Sequence, residues 1–173
     1  MRDWEKVKHS IYGSLLLVVL VILVIPGCDW YPKTITNSAK EPALLLIDVN
    51  TPAVFNDAHI AGAINVDLDT LEKVSQEWNK KTPLVFYCSD YACMASHSAA
   101  IKVSKLGFEN VAVYSGGIQE WYSLSQSNNE KYPFEGKAQM AFLKNEVRKV
   151  VPIKEGANVV SADELAQRLK MKQ

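Results

Sequence analysis

Cys88 and Cys93, five residues apart, are the side chains best suited to covalent chemistry in this 173-residue chain. Cys88 follows the apolar run Leu84–Tyr87 (LVFY), which reads as a strand after Pro83. The loop Ser89-Asp90-Tyr91-Ala92-Cys93-Met94-Ala95 then leads into a helical stretch beginning near Ser96. In open α/β sheets the carboxyl ends of strands are where ligands bind. Backbone N–H groups and the positive end of a helix can face a sulfur placed there. Such surroundings lower a thiol pKa from about 8.5 to roughly 3.5–7.5 and give a thiolate nucleophile with no histidine beside it. The same position also suits a buried, unreactive thiol, and position alone does not choose between the two.

The elements that must place this loop are legible from periodicity. Ala43–Val49 is a continuous apolar run ending near Asp48, as expected of a buried parallel strand. Ala63–Val66 reads as a second strand and Val111–Tyr114 as a fourth, after Leu84–Tyr87. Leu68, Leu71, Val74 and Trp78 form one helical stripe over 68–78, with Asp69 as its N-cap. Ala99, Ala100, Val103 and Leu106 form another over Ser96–Leu106, closed by Gly107. Gly116-Gly117 turns the chain into a short helix around Gln119–Tyr122, with Trp121 in the core. Ser123–Gly136 reads as a polar surface loop and Lys137–Val150 as an amphipathic helix. Val159-Val160 is strand-like, and Ser161 with Glu164 makes a capping box for a helix over Ala162–Leu169. Alternation of strands and helices predicts an α/β fold with a parallel sheet.

Composition narrows the function classes. Hydrophobic residues make up 48% and charged residues 22%, which excludes a disordered chain. Lys+Arg and Asp+Glu balance at 19 each, so there is no general electrostatic reason to bind nucleic acid. Three cysteines are too few for a disulfide scaffold. Cys88, Cys93, His59 and His97 do not have the spacing of a zinc finger, and no metal or other cofactor is expected.

The first 28 residues read as an address. Arg2, Lys6 and Lys8 precede the uncharged apolar run Ile11–Ile25. As a helix that run reaches about 22 Å, short of a hydrocarbon core of about 30 Å. Ile25-Pro26-Gly27-Cys28 resembles the lipobox of bacterial lipoproteins, which implies lipidation at Cys28. An uncleaved anchor and a cleaved export signal are the alternatives. Each places the rest of the chain outside the cytoplasmic membrane, because the basic flank stays inside. The expected location is the bacterial cell envelope, anchored to the cytoplasmic membrane and facing the periplasm or exterior. Residues 29–42 read as a linker.

Three ordered segments resemble the rhodanese-like sulfurtransferase domain over 43–122, roughly half the chain. LLLIDVNTPAVFNDAHIAGAINVDL (Leu44–Leu68) is similar to the family's first signature, with HIxGAxN. LVFYC (Leu84–Cys88) is similar to its active-site strand, and SHSAAIKVSKLGFENVAVYSGGIQEW (Ser96–Trp121) to its second signature. The resemblance implies a five-stranded parallel sheet with helices on both faces. It implies that Cys88 carries sulfane sulfur as a persulfide, and that backbone amides of Ser89, Asp90, Tyr91, Ala92, Cys93 and Met94 cradle it. It assigns structural roles to Asp48 and His59. Residues 137–173 form a C-terminal extension; Val159–Leu169 is similar to the opening of such a domain, either the start of a lost second copy or a segment that folds back, and on the second, preferred reading Val159-Val160 pairs beside Val111–Tyr114 as the missing edge strand.

The chain departs from the family pattern in three places. Asn50 stands where the family usually has Arg after Asp48-x. The active loop holds no Lys or Arg, which argues against the thiosulfate dianion and for a neutral or protein-bound persulfide or polysulfide donor. The loop is longer than the common form and resembles a bacterial CxxxxC subset followed by xxSxxAA. Met94 occupies the position of the phosphatase arginine, so phosphatase chemistry is excluded. Cys93 is a candidate resolving thiol if the two Cα atoms lie within about 7 Å; otherwise it simply faces core or solvent. The expected function is extracytoplasmic sulfur transfer, with a small sulfur donor or protein persulfide as partner and an unidentified acceptor. A thiol-disulfide redox protein and a non-catalytic binding module are the alternatives.

Overall fold

A computed structural model describes residues 43–149 and 157–171. The expected signal segment, Cys28 and the linker lie outside the described residues. Among the described residues no helix is long and apolar enough to cross a membrane.

The chain alternates short strands and helices. These are β1 (Leu45–Asp48), α1 (Pro52–Asp57), β2 (Ala58–Ile60), β3 (Ile64–Asn65), α2 (Leu71–Ser75), β4 (Leu84–Tyr87) and α3 (Ala95–Lys105), then β5 (Val111–Tyr114), α4 (Gly117–Ser125), β6 (Phe134–Gly136), a 3-10 turn (Ala141–Lys144), β7 (Asn158–Val159) and α5 (Ala162–Lys170). Five strands form one parallel sheet in the order β3-β1-β4-β5-β7. β2 and β6 form a separate antiparallel pair.

Period-two alternation divides the sheet's side chains between two apolar layers. Val85, Tyr87, Ala112 and Tyr114 face one way, where α4 and α5 bring Ile118, Trp121, Leu165 and Ala166. Leu84, Phe86, Cys88 and Val113 face the other way, against Leu71, Ala99, Ala100 and Val103 from α2 and α3. Both faces of the sheet are therefore covered, as parallel sheets require. Cys88 continues the alternation of β4 and is 1% exposed.

The C-terminal residues complete the sheet. Val113 pairs with Val159, and the Val160 amide donates to the Val113 carbonyl at 2.9 Å. This is the neighbour expected for the Val159-Val160 segment. It covers the edge of β5, which would otherwise be open to pairing with another chain.

Several local expectations need correction. No α-helix spans 137–149. Asp57 draws that chain aside: its carboxylate accepts the amides of Gln139 and Met140 at 3.0 and 2.9 Å. Ala138 takes a φ of 51° there, and only the 3-10 turn remains helical. Ser123–Gly136 is not one loop. α4 continues to Ser125, Tyr132 is buried, and Phe134–Gly136 pairs with β2. The helix expected over 68–78 shortens to Leu71–Ser75, and Asp69 does not cap it. Its amide instead donates to Asp67 Oδ1 at 2.9 Å in an Asx turn. At α5, Ser161 Oγ accepts the Glu164 amide, but the Glu164 carboxylate pairs with Arg168 rather than closing the box.

Candidate active site

The two cysteines are joined. Cys88 and Cys93 form a disulfide with Cα atoms 6.3 Å apart. That separation lies within the range a disulfide needs, so the loop does not splay the two thiols apart. Cys88 is buried while Cys93 is half-buried. Cys88 Sγ lies 3.1 Å from the Cys93 carbonyl and 3.4 Å from Ser96 Oγ. Ser96 is fully buried in the first turn of α3. Its hydroxyl is the one polar side-chain group within hydrogen-bonding distance of this sulfur among the described residues, and the serine of the xxSxxAA pattern was the sequence signal for it.

The loop's backbone is fixed from α4. The Ile118 amide donates to the Cys88 carbonyl at 3.0 Å, and the Gln119 amide to the Ser89 carbonyl at 2.9 Å. Two otherwise unpaired donors at a helix start are satisfied by the loop itself. This needs Gly117. Its φ is +62°, and a Cβ there would stand 2.5 Å from the Cys88 carbonyl oxygen. The GG turn thus lets the end of β4 press onto α4.

The expected cradle of amides is only partly available in this disulfide form. The Cys93 amide donates to the Asp90 carbonyl at 3.1 Å and the Ala92 amide to Asp90 Oδ1 at 2.8 Å. The Ala92 amide closes an Asx turn and the Cys93 amide a backbone turn, so both are already engaged with Asp90. Met94 is 48% exposed and carries none of the loop's side-chain bonds.

Tyr91 is anchored by a buried carboxylate absent from the expected site. Glu120, 7% exposed, accepts the hydroxyls of Tyr91 and Tyr114 on one oxygen, each at 2.9 Å. Its other oxygen faces Lys149 Nζ at 3.1 Å. Burial, and then Glu120, push the phenol of Tyr91 well above its ordinary range. Burial and Glu120 do the same at Tyr114. Both phenols therefore remain donors. Nothing local in sequence marks Glu120, because it lies within the variable positions of GGIxxW.

Tyr91 separates two clefts. One, of about 450 Å³, runs past Glu120 and Lys149 to Ser161–Asp163 at the start of α5. The other, of about 600 Å³, is lined by Asp90, Tyr91, Ala92, Gln119, Glu146 and Arg148 among others. The loop itself lacks cations, yet the C-terminal segment brings Arg148 and Lys149 to its sides. The expectation of a site without cations holds for the loop and fails for its surroundings.

Residues 32–124, more than half the chain, match the sequence model of the rhodanese-like domain. The chain belongs to the rhodanese-like domain family. The thiosulfate sulfurtransferase GlpE of Tolumonas auensis is 34% identical over 80 residues, 46% of this chain and 74% of that protein. GlpE of Coxiella burnetii is 28% identical over 82 residues, 47% of this chain and 75% of that protein. A solved rhodanese with anions from E. coli is 28% identical, with a TM-score of 0.39, over 45% of this chain and 91% of that one. At the family level, this rhodanese-like chain is a sulfurtransferase.

Asp48 and His59, expected to be structural in such a domain, hold the backbone around the sheet's carboxyl end. Asp48 Oδ1 accepts the Asn50 amide at 2.7 Å. Asn65 then bridges the carbonyls of Asp48 and Asn50. Asp48 is fully buried, and its other carboxylate oxygen has no partner among the described residues. Burial raises its pKa to about 6 against the hydrogen bonds that lower it. Asn50, where the family has Arg, supplies no charge to offset that. His59 stacks on Phe55 and its Nδ1 lies 2.8 Å from the Phe55 carbonyl, away from the cysteines in sequence and bonding. Among the described residues no group of His, Cys, Asp or Glu is placed to hold a metal.

Proposed function

We propose that Cys88 accepts sulfane sulfur as a persulfide, that Cys93 resolves it, and that the chain works on the outer side of a bacterial cytoplasmic membrane. The supporting observation is the 6.3 Å separation of the two Cα atoms, which lets either sulfur reach the other.

With the disulfide reduced, the Cys88 thiolate is favoured by the N-terminus of α3 and by the Ser96 hydroxyl. It attacks the sulfane sulfur of a persulfide or polysulfide donor. The Cys88 S–S bond forms, the donor's bond to that sulfur breaks, and the donor leaves with the electron pair. An acceptor thiolate then takes the outer sulfur, and the pair returns to Cys88. Alternatively the Cys93 thiolate attacks the inner sulfur of the persulfide. Hydrosulfide departs with the electron pair, two thiols are oxidised to the disulfide, and the sulfane sulfur is reduced to sulfide. The N-terminal apolar run and Cys28 support the membrane-tethered location.

The same disulfide favours a second reading, thiol-disulfide exchange without sulfur transfer. Cys93 is the more exposed residue of the pair, which favours attack of an incoming thiolate there and release of Cys88. Mass spectrometry of the reduced full chain after polysulfide or thiosulfate separates the two readings. One added sulfur on Cys88, accumulating in Cys93→Ser and absent in Cys88→Ser, is expected. Loss of two hydrogens that depends on both cysteines, with no sulfur adduct, would replace sulfur transfer by redox exchange.

A further inference from the structure

Two buried polar side chains in the layer that holds Cys88 take no part in the chemistry derived above. His97 is the third residue of α3 and is 5% exposed, and neither of its ring nitrogens has a hydrogen-bond partner among the described residues. Ser115, which follows β5, is equally buried, and its Oγ has no partner among them either. Buried polar groups are ordinarily paired, and each one left unpaired lowers stability.

The sheet and α3 bring both toward the sulfur. β4 and β5 are parallel neighbours, with Phe86 beside Val113 and Tyr87 beside Tyr114. Cys88 and Ser115 are the next residues along those two strands. Phe86, Cys88 and Val113 pack in the layer of α3, whereas Tyr87 and Tyr114 pack in the opposite layer. Alternation puts Ser115 on the α3 side as well. α3 packs on both strands. Its first turn is fixed beside Cys88 by Ser96, whose Oγ is 3.4 Å from Sγ, and His97 is the next residue.

Neither His97 nor Ser115 bonds Cys88 Sγ in the disulfide form. A persulfide carries its second sulfur about 2 Å beyond Sγ, and that outer atom holds the charge when the persulfide ionises. In the disulfide the atom in that place is Cys93 Sγ, a weak acceptor. Two of the loop amides that could face an outer sulfur are engaged with Asp90.

We propose that His97 is a further catalytic residue, whose ring N–H donates a hydrogen bond to the outer sulfur of the Cys88 persulfide, with the Ser115 hydroxyl as a second donor. This rests on the persulfide reading of Cys88. Burial lowers the imidazole pKa, so at neutral pH the ring is neutral and has one N–H to give. The bonds add no covalent step. They stabilise the loaded form relative to free Cys88, because they reach the outer sulfur and not Sγ. Both side chains are unpaired in the disulfide and satisfied in the persulfide.

The test uses the full chain in mild detergent, carrying Cys93→Ser so that the persulfide is not discharged internally. Cys88 is titrated with polysulfide at fixed sulfide, and the one-sulfur adduct is read by mass spectrometry. His97→Leu is expected to raise the polysulfide needed for half loading about tenfold, the loss of one hydrogen bond to a charged group. His97→Gln keeps a donor and recovers part of that loss. Nuclear magnetic resonance gives a direct readout with the natural residue at position 97, since the chain has three histidines. Loading Cys88 is expected to shift the ring N–H signals of His97. Those of His59, which is placed against Phe55 and Glu135, stay where they are. An adduct confirmed by mass with the His97 signals unmoved, or half loading unchanged in His97→Leu, overturns the donor role and leaves the persulfide reading standing. Failure of any adduct to form on Cys88 overturns both.

Discussion

Residues 43–122 and residues 123–171 act on the same loop in different ways. The first segment carries the reacting sulfurs, the strand that delivers Cys88, and the glycine turn that presses the loop onto α4. Its contacts with the loop are backbone hydrogen bonds, close packing and the bond that the Tyr91 hydroxyl donates to Glu120. The second segment reaches the loop by charge: Lys149 through Glu120 to Tyr91, and Glu146 and Arg148 across the neighbouring cleft. It also closes the sheet, through β7 on β5 and α5 on the face holding Trp121. The contrast separates two tasks. Chemistry at Cys88 and the carboxylate that holds Tyr91 are built into the family core, whereas the cations beside the loop are supplied from outside it.

The largest test of that division removes the second segment's closing elements. A chain ending at Lys149 lacks Val160, Leu165 and Ala166, all buried against Tyr114 and Trp121. Burial of a Val or Leu side chain is worth about 1.5–3 kcal/mol, so the loss approaches about 5 kcal/mol or more, comparable to the whole stability of a small domain. The exposed edge of β5 adds a route to aggregation. The truncated chain is expected to unfold or aggregate when followed by circular dichroism and size exclusion. A monomer with unchanged denaturant midpoint would show that the first segment is self-sufficient and would erase the comparison.

How much of this was readable in advance follows the same boundary. The strands around Cys88 were legible because buried parallel strands leave unbroken apolar runs, as in LLLID and LVFY. Cys88 was legible because it terminates such a run. β2 and β6 were not, since three-residue strands pairing residues 58–60 with 134–136 leave no periodic trace. The 137–149 segment misled for a definite reason. Its spacing suits a helix, but a carboxylate about eighty positions away, Asp57, captures its amides. Glu120 and Arg148 were invisible as site residues because their meaning lies in which distant groups they meet.

A smaller effect sharpens the view of the first segment. Asp48 is buried with one oxygen unpartnered among the described residues, and burial lifts its pKa from 3.8 to about 6 against the bonds of Asn50 and Tyr87 that lower it. Below about pH 4 the carboxyl is protonated in both folded and unfolded chains and contributes no pH dependence. As pH rises from about 4 to 6 the unfolded chain gives up its proton first, so stability falls, by about 3 kcal/mol for a shift of about two units. His97 runs the other way. Burial lowers its pKa, so its contribution to stability rises with pH through the histidine range. The informative quantity is therefore the difference between the natural chain and Asp48→Asn, in which the His97 contribution cancels. Urea unfolding from pH 4 to 7 is expected to show the variant gaining on the natural chain by that amount. Parallel curves would mean that Asp48 is not the costly buried charge that Asn50 leaves uncompensated.

The smallest effect lies where the two segments meet. Tyr91→Phe keeps the ring but removes the hydroxyl that Glu120 accepts, while Glu120 retains Tyr114 and Lys149. A hydrogen bond to a charged group contributes about 1.5–3 kcal/mol when lost from a buried site, and less here because Tyr91 is only half-buried. Global stability is expected to fall by about 1 kcal/mol. The more telling readout is the equilibrium between the Cys88–Cys93 dithiol and disulfide against a glutathione buffer. If the Glu120 bond holds the loop in the conformation seen with the disulfide, Tyr91→Phe shifts that equilibrium toward the dithiol. The free energy of the shift cannot exceed that of the lost bond, so it stays within about tenfold. Glu120→Gln should move it in the same direction, and by less, since an amide oxygen still accepts the phenol. A stability loss with no change in the redox equilibrium would place Tyr91 in the wall between the clefts without any hold on the cysteines, and the second segment's influence on the loop would then be confined to Glu146 and Arg148.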